Sequence, residues 1–338
     1  MNADRRAANV TDALRLLGAL CVVWYHNPLY WNLQGHLASV DTVKMVVLGW
    51  SMPFFYATSA RFAFTGKSPA RLLPRMATLL GLVIFYTALY ELAHWRSETG
   101  LVARCLGDAG GCSASLVFDT LRNVGNTPGY YLSDLLSMYL LACLAGISPA
   151  LGWIMAGAAW IALLLGQVKL GGLFLNPLAL GCLSVALLYR LLLAPRLRAM
   201  PRLRLPAPMV LPLLALLPLV WGAANVLLAQ NDYWRDTGRI VLFGLLLLPF
   251  LAIDDGSESD SRLLAVLSRW GRQYAFGIFI FHQLCFDLLG ARAAAWVQRL
   301  LHVQDELGLY LVAGVAATLA ALALTALTRK MAPALLAS

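Results

Sequence analysis

Long apolar stretches alternate with short polar ones along most of the 338 residues of this chain. An apolar stretch of about 20 residues crosses the hydrocarbon core of a bilayer as one helix. The pattern therefore predicts an all-α integral membrane protein, a bundle of about ten transmembrane helices forming a single domain over residues 1–338. The predicted helices cover residues 12–32, 43–64, 76–95, 130–147, 150–167, 171–192, 208–228, 238–253, 272–290 and 308–328.

Most of the 26 Lys and Arg residues fall in alternate loops, and their placement orients the predicted bundle. Cytoplasmic loops carry an excess of Lys and Arg, and the loop over residues 190–206 is the most basic one here. Both termini are therefore predicted to be cytoplasmic, in a multi-pass protein of the cell inner membrane. The net charge of +9 is explained by these loops, so no nucleic-acid partner is expected.

Two cysteines, Cys105 and Cys112, share the predicted outer loop "RCLGDAGGCS". On an oxidising face they can form a disulfide, with two free thiols as the alternative. No His and Cys spacing typical of a metal site is present, so no metal is expected.

The first predicted helix, "DALRLLGALCVVWYH", carries two ionisable residues in one register. Eleven residues turn a helix through three turns and about 20°, so Arg15 and His26 lie on one stripe, roughly 16 Å apart along the axis. Asp12 is placed to pair with Arg15. An ionisable group within a membrane span normally faces the protein interior, although Arg15 can also reach the cytoplasmic headgroups and His26 the outer interface.

Other polar residues make the interior interpretation the better one. His282 lies deep in the ninth predicted helix, where headgroups are out of reach. Basic residues are expected around the inner mouth of the bundle, and a carboxylate- and tyrosine-rich group on its outer side. The basic set is Arg61, Lys67, Arg71 and Arg75, and the outer set is Glu91, Tyr130 and Asp134. The arrangement suggests a path in which a phosphorylated donor enters from inside and an acceptor from outside.

These motifs, in this order, resemble membrane acyltransferase family 3. "DALRLLGALCVVWYH" resembles the family's opening Asp-x-x-Arg…His motif, with ten residues between Arg and His. "MPFFYATSA", "ARLLPR", "PGYYLSDLLSMYLL" and "YAFGIFIFHQ" are similar to its later segments. Ala60 stands where the family usually has Gly, and Arg71 and Arg75 are four residues apart where three is usual. The resemblance implies the stand-alone ten-helix form, without a following esterase-like domain.

The resemblance also implies a reaction, the transfer of an acyl group, most often acetyl, from coenzyme A to a sugar hydroxyl. His26 is then the general base or the acyl carrier, with Arg15 and His282 as catalytic partners. Coenzyme A phosphates explain the guanidinium groups at the inner mouth, so Arg15, Arg61, Lys67, Arg71 and Arg75 are expected to bind acetyl-CoA.

The acceptor is expected to be a cell-surface carbohydrate or a lipid-linked glycan, contacted by Tyr130, Asp134 and Glu91. Two other classes stay open at this point. A proton-coupled exporter of glycan precursors also uses buried His, Asp and Arg, although no internal repeat supports it. A non-catalytic scaffold or sensor has no need of the Arg15–His26 register.

Overall fold

The computed structural model describes residues 9–29, 44–64, 69–93, 129–164, 177–193, 203–227, 257–259, 261–301 and 305–336, with the single residues 196, 199 and 201. Within these residues the chain forms the following α-helices: α1 (Val10–Tyr25), α2 (Ser51–Phe64), α3 (Pro69–Ala93), α4 (Gly129–Ala145), α5 (Pro149–Leu164), α6 (Pro177–Leu188), α7 (Ala207–Leu227), α8 (Arg262–Cys285), α9 (Ala291–Leu301) and α10 (Glu306–Met331). Short π-helical turns follow α6 and α8, at Tyr189–Leu193 and Phe286–Gly290.

Three of the helices begin at a side-chain cap. The side chains of Asn9, Ser261 and Asp305 accept hydrogen bonds from backbone N–H groups in the first turns of α1, α8 and α10. Such caps satisfy donors that have no partner within the helix. The starts of these three helices are thus encoded locally.

Three helical segments are long and apolar enough to cross a membrane: Leu72–Ala93, Arg262–Leu300 and Glu306–Met331. Shorter apolar helices include Tyr130–Ala145, Pro149–Ile161 and Ala179–Leu192. The chain is therefore a helical membrane protein. The count of ten spans and the cytoplasmic side of both termini stay predictions, and the predicted span 238–253 lies outside the described residues.

The observed bounds of three helices differ from the predicted spans, and each difference has a local cause. α1 ends at Tyr25 rather than near residue 32, because Pro28 disfavours helical geometry in the residue before it and lacks an N–H. α8 begins at Arg262, ten residues before the predicted span, because Ser268, Arg269 and Arg272 interrupt the apolar run but not the helix. α9 covers residues assigned to an outer loop, since Arg292 and Arg299 break the apolar run but not the helix.

Two three-residue strands depart from the all-α prediction. Leu203–Leu205 pairs in parallel with Ser257–Ser259, with Arg204 opposite Glu258. The pair brings the segment before α7 beside the segment before α8. Both segments were predicted to be loops on one side of the membrane, and the pairing places them at a common end of the bundle.

Helix α1 packs most extensively against α8, and α8 in turn against α10. Asp12 contacts Arg272 near the start of α1, and His26 contacts His282 at its end, so α1 and α8 run in the same direction. Helix α10 runs in the opposite direction, because Tyr310 lies beside Asn27 whereas Arg329 donates to the Gln273 carbonyl. Helices α2, α4 and α6 pack beside this three-helix core.

Glycine allows α8 to approach both of its neighbours closely. A Cβ atom at Gly271 would lie 1.7 Å from the carbonyl oxygen of Asp12, and one at Gly277 would lie 2.3 Å from the Thr325 side chain. Any larger residue at these positions would push the helices apart. The absence of a side chain therefore sets the spacing of α1, α8 and α10.

Candidate active site

His26 ends α1 and occupies its C-cap position. Its backbone N–H donates to the Val22 carbonyl at 3.1 Å, so the last turn is still helical where the ring projects. The ring centroid lies 5.3 Å from that of His282 on α8. Two histidines far apart in sequence thus meet at one end of the α1–α8 pair, which we term the histidine end.

His282 is 2% exposed, and its two ring nitrogens have different surroundings. Nδ1 lies 2.5 Å from the Phe279 carbonyl oxygen. Because a carbonyl only accepts hydrogen bonds, this contact assigns the proton to Nδ1 and leaves the lone pair on Nε2. Nε2 is buried and makes no hydrogen bond within the described part of the chain. A neutral imidazole in this state can accept a proton at Nε2.

Helix α10 holds the end of α1 in place. The Asn27 side chain donates to the Tyr310 carbonyl at 2.8 Å, and the Tyr310 hydroxyl donates to the Trp24 carbonyl at 2.9 Å. A Cβ at Gly314 would lie 2.6 Å from the Trp24 ring, so that ring sits directly on the α10 backbone. These contacts flank His26 on both sides in sequence and orient its ring.

An aromatic layer separates the histidine end from the rest of the core. Phe279, one turn before His282, packs against Tyr131 of α4 at 4.8 Å and Phe55 of α2 at 5.3 Å between ring centroids. The Tyr131 hydroxyl and the Ser59 hydroxyl lie 2.8 Å apart. Helices α2 and α4 therefore fix the position of the Phe279 turn on α8 and of the carbonyl that binds His282.

Three further residues lie near His26. The Tyr25 and His26 rings are 5.3 Å apart, and the Lys44 ammonium group lies 4.6 Å from the centre of the Tyr25 ring. Tyr130, predicted to bind the acceptor, lies within electrostatic range of Tyr25 and of Asp134. Aromatic, hydroxyl and cationic groups thus surround the approach to His26.

At the opposite end of the α1–α8 pair, four polar residues form what we term the arginine end. One Asp12 carboxylate oxygen pairs with Arg15 at 3.3 Å, and the other pairs with Arg272 at 3.0 Å. Arg272 also donates to the Ser268 hydroxyl at 2.6 Å. The side chains of Arg15 and Arg272 are 29% and 28% exposed, so both guanidinium groups reach the surface.

A profile described as an acyltransferase domain matches residues 11–326, nearly the whole chain. The chain belongs to membrane acyltransferase family 3. Searches of curated proteins and of solved structures found no match. Family membership makes this protein a membrane acyltransferase. The matched region begins one residue before Asp12 and includes both ends of the α1–α8 pair.

The other basic residues predicted to bind the donor have different surroundings where the structure of the acyltransferase describes them. Arg61 is 3% exposed, and its guanidinium lies over the Tyr189 ring at 5.3 Å, a cation–π contact between α2 and the turn after α6. Arg75 is exposed on α3, which also carries Arg71, whose side chain is outside the described part. Lys67 lies outside the described residues altogether.

The two carboxylates predicted to bind the acceptor have different surroundings. Asp134 is buried and accepts a 2.5 Å hydrogen bond from the Tyr56 hydroxyl, which links α4 to α2. Glu91 is half-buried near the end of α3. The structure therefore gives Asp134 a role in holding helices together, in addition to any contact with an acceptor.

Arg272 and Ser268 were missed as site residues, although the sequence carried a signal for them. Arg272 is one of the Lys and Arg residues that orient the predicted bundle, and the motifs above give it no role in the site. It precedes His282 by ten residues, much as Arg15 precedes His26 by eleven, and Ser268 lies one helical turn before it. The similar spacing between an arginine and a following histidine on α1 and on α8 is the sequence signal that points to Arg272.

Within the described residues, no three His, Cys, Asp or Glu side chains are grouped so that they can hold a metal ion. Cys21, Cys143, Cys182 and Cys285 are free thiols, and Cys105 and Cys112 lie outside the described residues.

Proposed function

We propose that this acyltransferase moves an acetyl group from cytoplasmic acetyl-CoA to a hydroxyl of a cell-surface carbohydrate or lipid-linked glycan, in the cell inner membrane. The observation that carries the proposal is the meeting of His26 and His282, with the Nε2 lone pair of His282 left without a hydrogen bond among the described residues. Such a pair supplies the acid–base chemistry that acyl transfer to a hydroxyl requires.

A sugar hydroxyl is a weak nucleophile, because its pKa lies far above 7. In the proposed reaction the neutral His26 imidazole takes the hydroxyl proton as the oxygen attacks the thioester carbonyl. The carbon–sulfur bond then breaks, the coenzyme A thiolate leaves, and the proton passes from His26 to sulfur. General base catalysis of this kind contributes about 10²–10⁴-fold in rate.

A covalent route uses the same residue. His26 attacks the thioester carbonyl, the carbon–sulfur bond breaks, and the coenzyme A thiolate leaves. The sugar oxygen then takes the acetyl group from the ring nitrogen, and its hydroxyl proton passes through that nitrogen to the thiolate. In either route His282 stays neutral beside His26, because two like charges at this separation disfavour double protonation.

The arginine end supports the choice of donor. Coenzyme A carries several phosphate charges, and guanidinium groups bind phosphate through paired charge-assisted hydrogen bonds. Arg15 is exposed enough to make such contacts, and it lies roughly 16 Å along the axis of α1 from His26. The pantetheine arm is long enough to follow that stripe and present the thioester at the histidine end. Arg61, Lys67, Arg71 and Arg75 are proposed to add positive potential for the nucleotide.

The groups around His26 support a carbohydrate acceptor. Tyr25 and Tyr130 offer ring faces and hydroxyl groups, and Lys44 offers a donor. Aromatic faces stack on sugar rings, and hydroxyl and ammonium groups bond their hydroxyls. We assign the acceptor to this side of His26, together with Asp134 and Glu91.

The test incubates the purified protein in lipid nanodiscs with acetyl-CoA labelled in the acetyl group and with extracted lipid-linked glycans. Transfer of label to a glycan, with release of one coenzyme A thiol per acetyl group, is the expected result. A rapid acid quench distinguishes the two routes, because only the covalent one leaves label on the protein before the glycan is added. Release of thiol without any labelled glycan would contradict the proposed acceptor.

A further inference from the structure

Tyr90 of α3 reaches into the backbone of α8 beside His282. It is 2% exposed, and its hydroxyl donates to the Ile280 carbonyl at 3.0 Å. The same oxygen accepts the backbone N–H of Leu284 at 3.1 Å. A side chain from another helix thus makes two backbone hydrogen bonds, and His282 lies midway between the two residues it joins.

Ile280 and Leu284 are four residues apart, the spacing at which an uninterrupted α-helix bonds carbonyl to N–H directly. The hydroxyl of Tyr90 bridges that pair. A side chain inserted into this ladder widens or bends a helix locally. Consistent with this, α8 ends its α-helical course at Cys285 and continues as the π-helical turn Phe286–Gly290.

The turn that Tyr90 bridges also sets the orientation of His282. The ring is held through Nδ1 by the Phe279 carbonyl, in the residue immediately before Ile280. The direction of that carbonyl depends on the backbone of the same turn. Tyr90 therefore acts on the one hydrogen bond that assigns the proton to Nδ1 and the lone pair to Nε2.

We propose that Tyr90 is a positioning residue for His282. Its hydroxyl holds the Ile280–Leu284 turn open so that the Nε2 lone pair of His282 stays directed at the histidine end. This role rests on the proposed function, since it presumes that His282 supports acetyl transfer. Tyr90 itself touches no reacting atom.

The chain offers a matched control on the same helix. Tyr86 lies one turn before Tyr90 on α3, is 3% exposed, and donates its hydroxyl to the Leu335 carbonyl at 3.3 Å. Its ring contacts Phe281 of α8, but its hydroxyl bonds the segment after α10 rather than the α8 backbone. Tyr86→Phe and Tyr90→Phe each keep the ring and remove one buried hydroxyl, and only the Tyr90 hydroxyl bonds the backbone of the His282 turn.

The kinetic test compares the two variants in the acetyl-transfer assay. Tyr90→Phe is expected to lower kcat by about 10- to 100-fold with an unchanged KM for acetyl-CoA, the scale expected when a catalytic group is displaced by about an ångström. Tyr86→Phe is expected to keep the wild-type kcat. Tyr90→His, whose ring still carries a polar group, is expected to recover part of the loss. Equal kcat values for Tyr90→Phe and wild type would overturn the proposal.

A double-mutant cycle shows whether Tyr90 acts through His282. On a His282→Gln background, Tyr90→Phe is expected to lower kcat no further, because the residue that it positions is gone. A full additional loss on that background would contradict the proposal.

The decisive readout does not depend on turnover. ¹⁵N NMR of the five histidine rings, with His282 assigned by its loss in His282→Gln, distinguishes the two neutral tautomers. The wild type and Tyr86→Phe are expected to show the proton on Nδ1, and Tyr90→Phe a mixture or the other tautomer. An unchanged His282 spectrum in Tyr90→Phe would overturn the positioning role. If the spectrum shifts while the wild type acetylates no glycan, the positioning role stands and the proposed function fails.

Discussion

The two ends of the α1–α8 pair carry ionisable residues under opposite conditions. At the arginine end, Asp12 divides its two oxygens between Arg15 and Arg272, and Ser268 accepts from Arg272. At the histidine end, two imidazoles face each other, and the buried Nε2 of His282 has no hydrogen bond within the described chain. The charges at the arginine end are paired, whereas the histidine end retains the basic lone pair on Nε2 of His282.

This difference between the two ends suggests that one binds the donor and the other carries out the proton transfer. A polar atom buried without a partner costs about 1–3 kcal/mol, so the position of Nε2 calls for an explanation, and proton transfer supplies one. Paired, partly exposed guanidinium groups instead hold helices together and stay accessible to an anion. We therefore propose that the arginine end recognises the donor and the histidine end transfers the proton, and the following variants test that division.

The largest effect is expected from His26→Ala. Loss of the base or acyl carrier should lower acetyl transfer by about 10²–10⁴-fold, with a small change in the thermal unfolding midpoint, since the ring is only half-buried. Label transfer and thermal unfolding in nanodiscs check both parts. His302→Ala, which changes a histidine outside the predicted site residues, serves as the control. Near-normal turnover in His26→Ala would remove it from the mechanism.

The next effect is expected from His282→Gln. Turnover should fall by about 10²-fold, because the amide has no basic lone pair to replace that of Nε2. The melting midpoint should stay nearly constant, since the ring nitrogen bonds only its own helix among the described residues. Retained activity together with a lower midpoint would identify His282 as a packing residue and leave the chemistry to α1.

Gly271→Ala should separate the two helices at the arginine end. The added Cβ would lie 1.7 Å from the Asp12 carbonyl oxygen, and relief of the clash should cost about 1–3 kcal/mol of stability. Gly81→Ala is the control, because nothing lies within 4 Å of its Cβ position. Chemical unfolding of the two variants measures the difference, and equal stabilities would show that α1 and α8 are not in such close contact.

The smallest effect is expected from Arg15→Ala and Arg272→Ala. Each should raise the KM for acetyl-CoA by about tenfold, the value of one charge-assisted hydrogen bond. Arg292→Ala on α9 is the control for a general loss of positive charge. Titration with acetyl-CoA and with dephospho-acetyl-CoA checks donor recognition. An unchanged KM in both variants would limit these arginines to holding α1 against α8.

Much of this architecture follows from local rules. Apolar runs predicted most of the helices, and the caps at Asn9, Ser261 and Asp305 are local signals. The pairing of Asp12 with Arg15 also followed from helical spacing. The early end of α1 could have been predicted from Pro28. Helix α9 could not be predicted from apolar runs, because its arginines interrupt them.

Sequence alone identifies this chain as a helical membrane acyltransferase and puts Arg15 and His26 on one stripe of α1. The membrane class depends on composition and the shared stripe on the period of one helix, whereas the acyltransferase assignment depends on the match to the family. The meeting of His282 with His26, the sharing of Asp12 by Arg15 and Arg272, and the bridge from Tyr90 to the α8 backbone depend on the tertiary structure. Each of these contacts joins helices far apart in sequence. Their register is set by close approach at Gly271, Gly277 and Gly314, and no local pattern encodes which surfaces fit together.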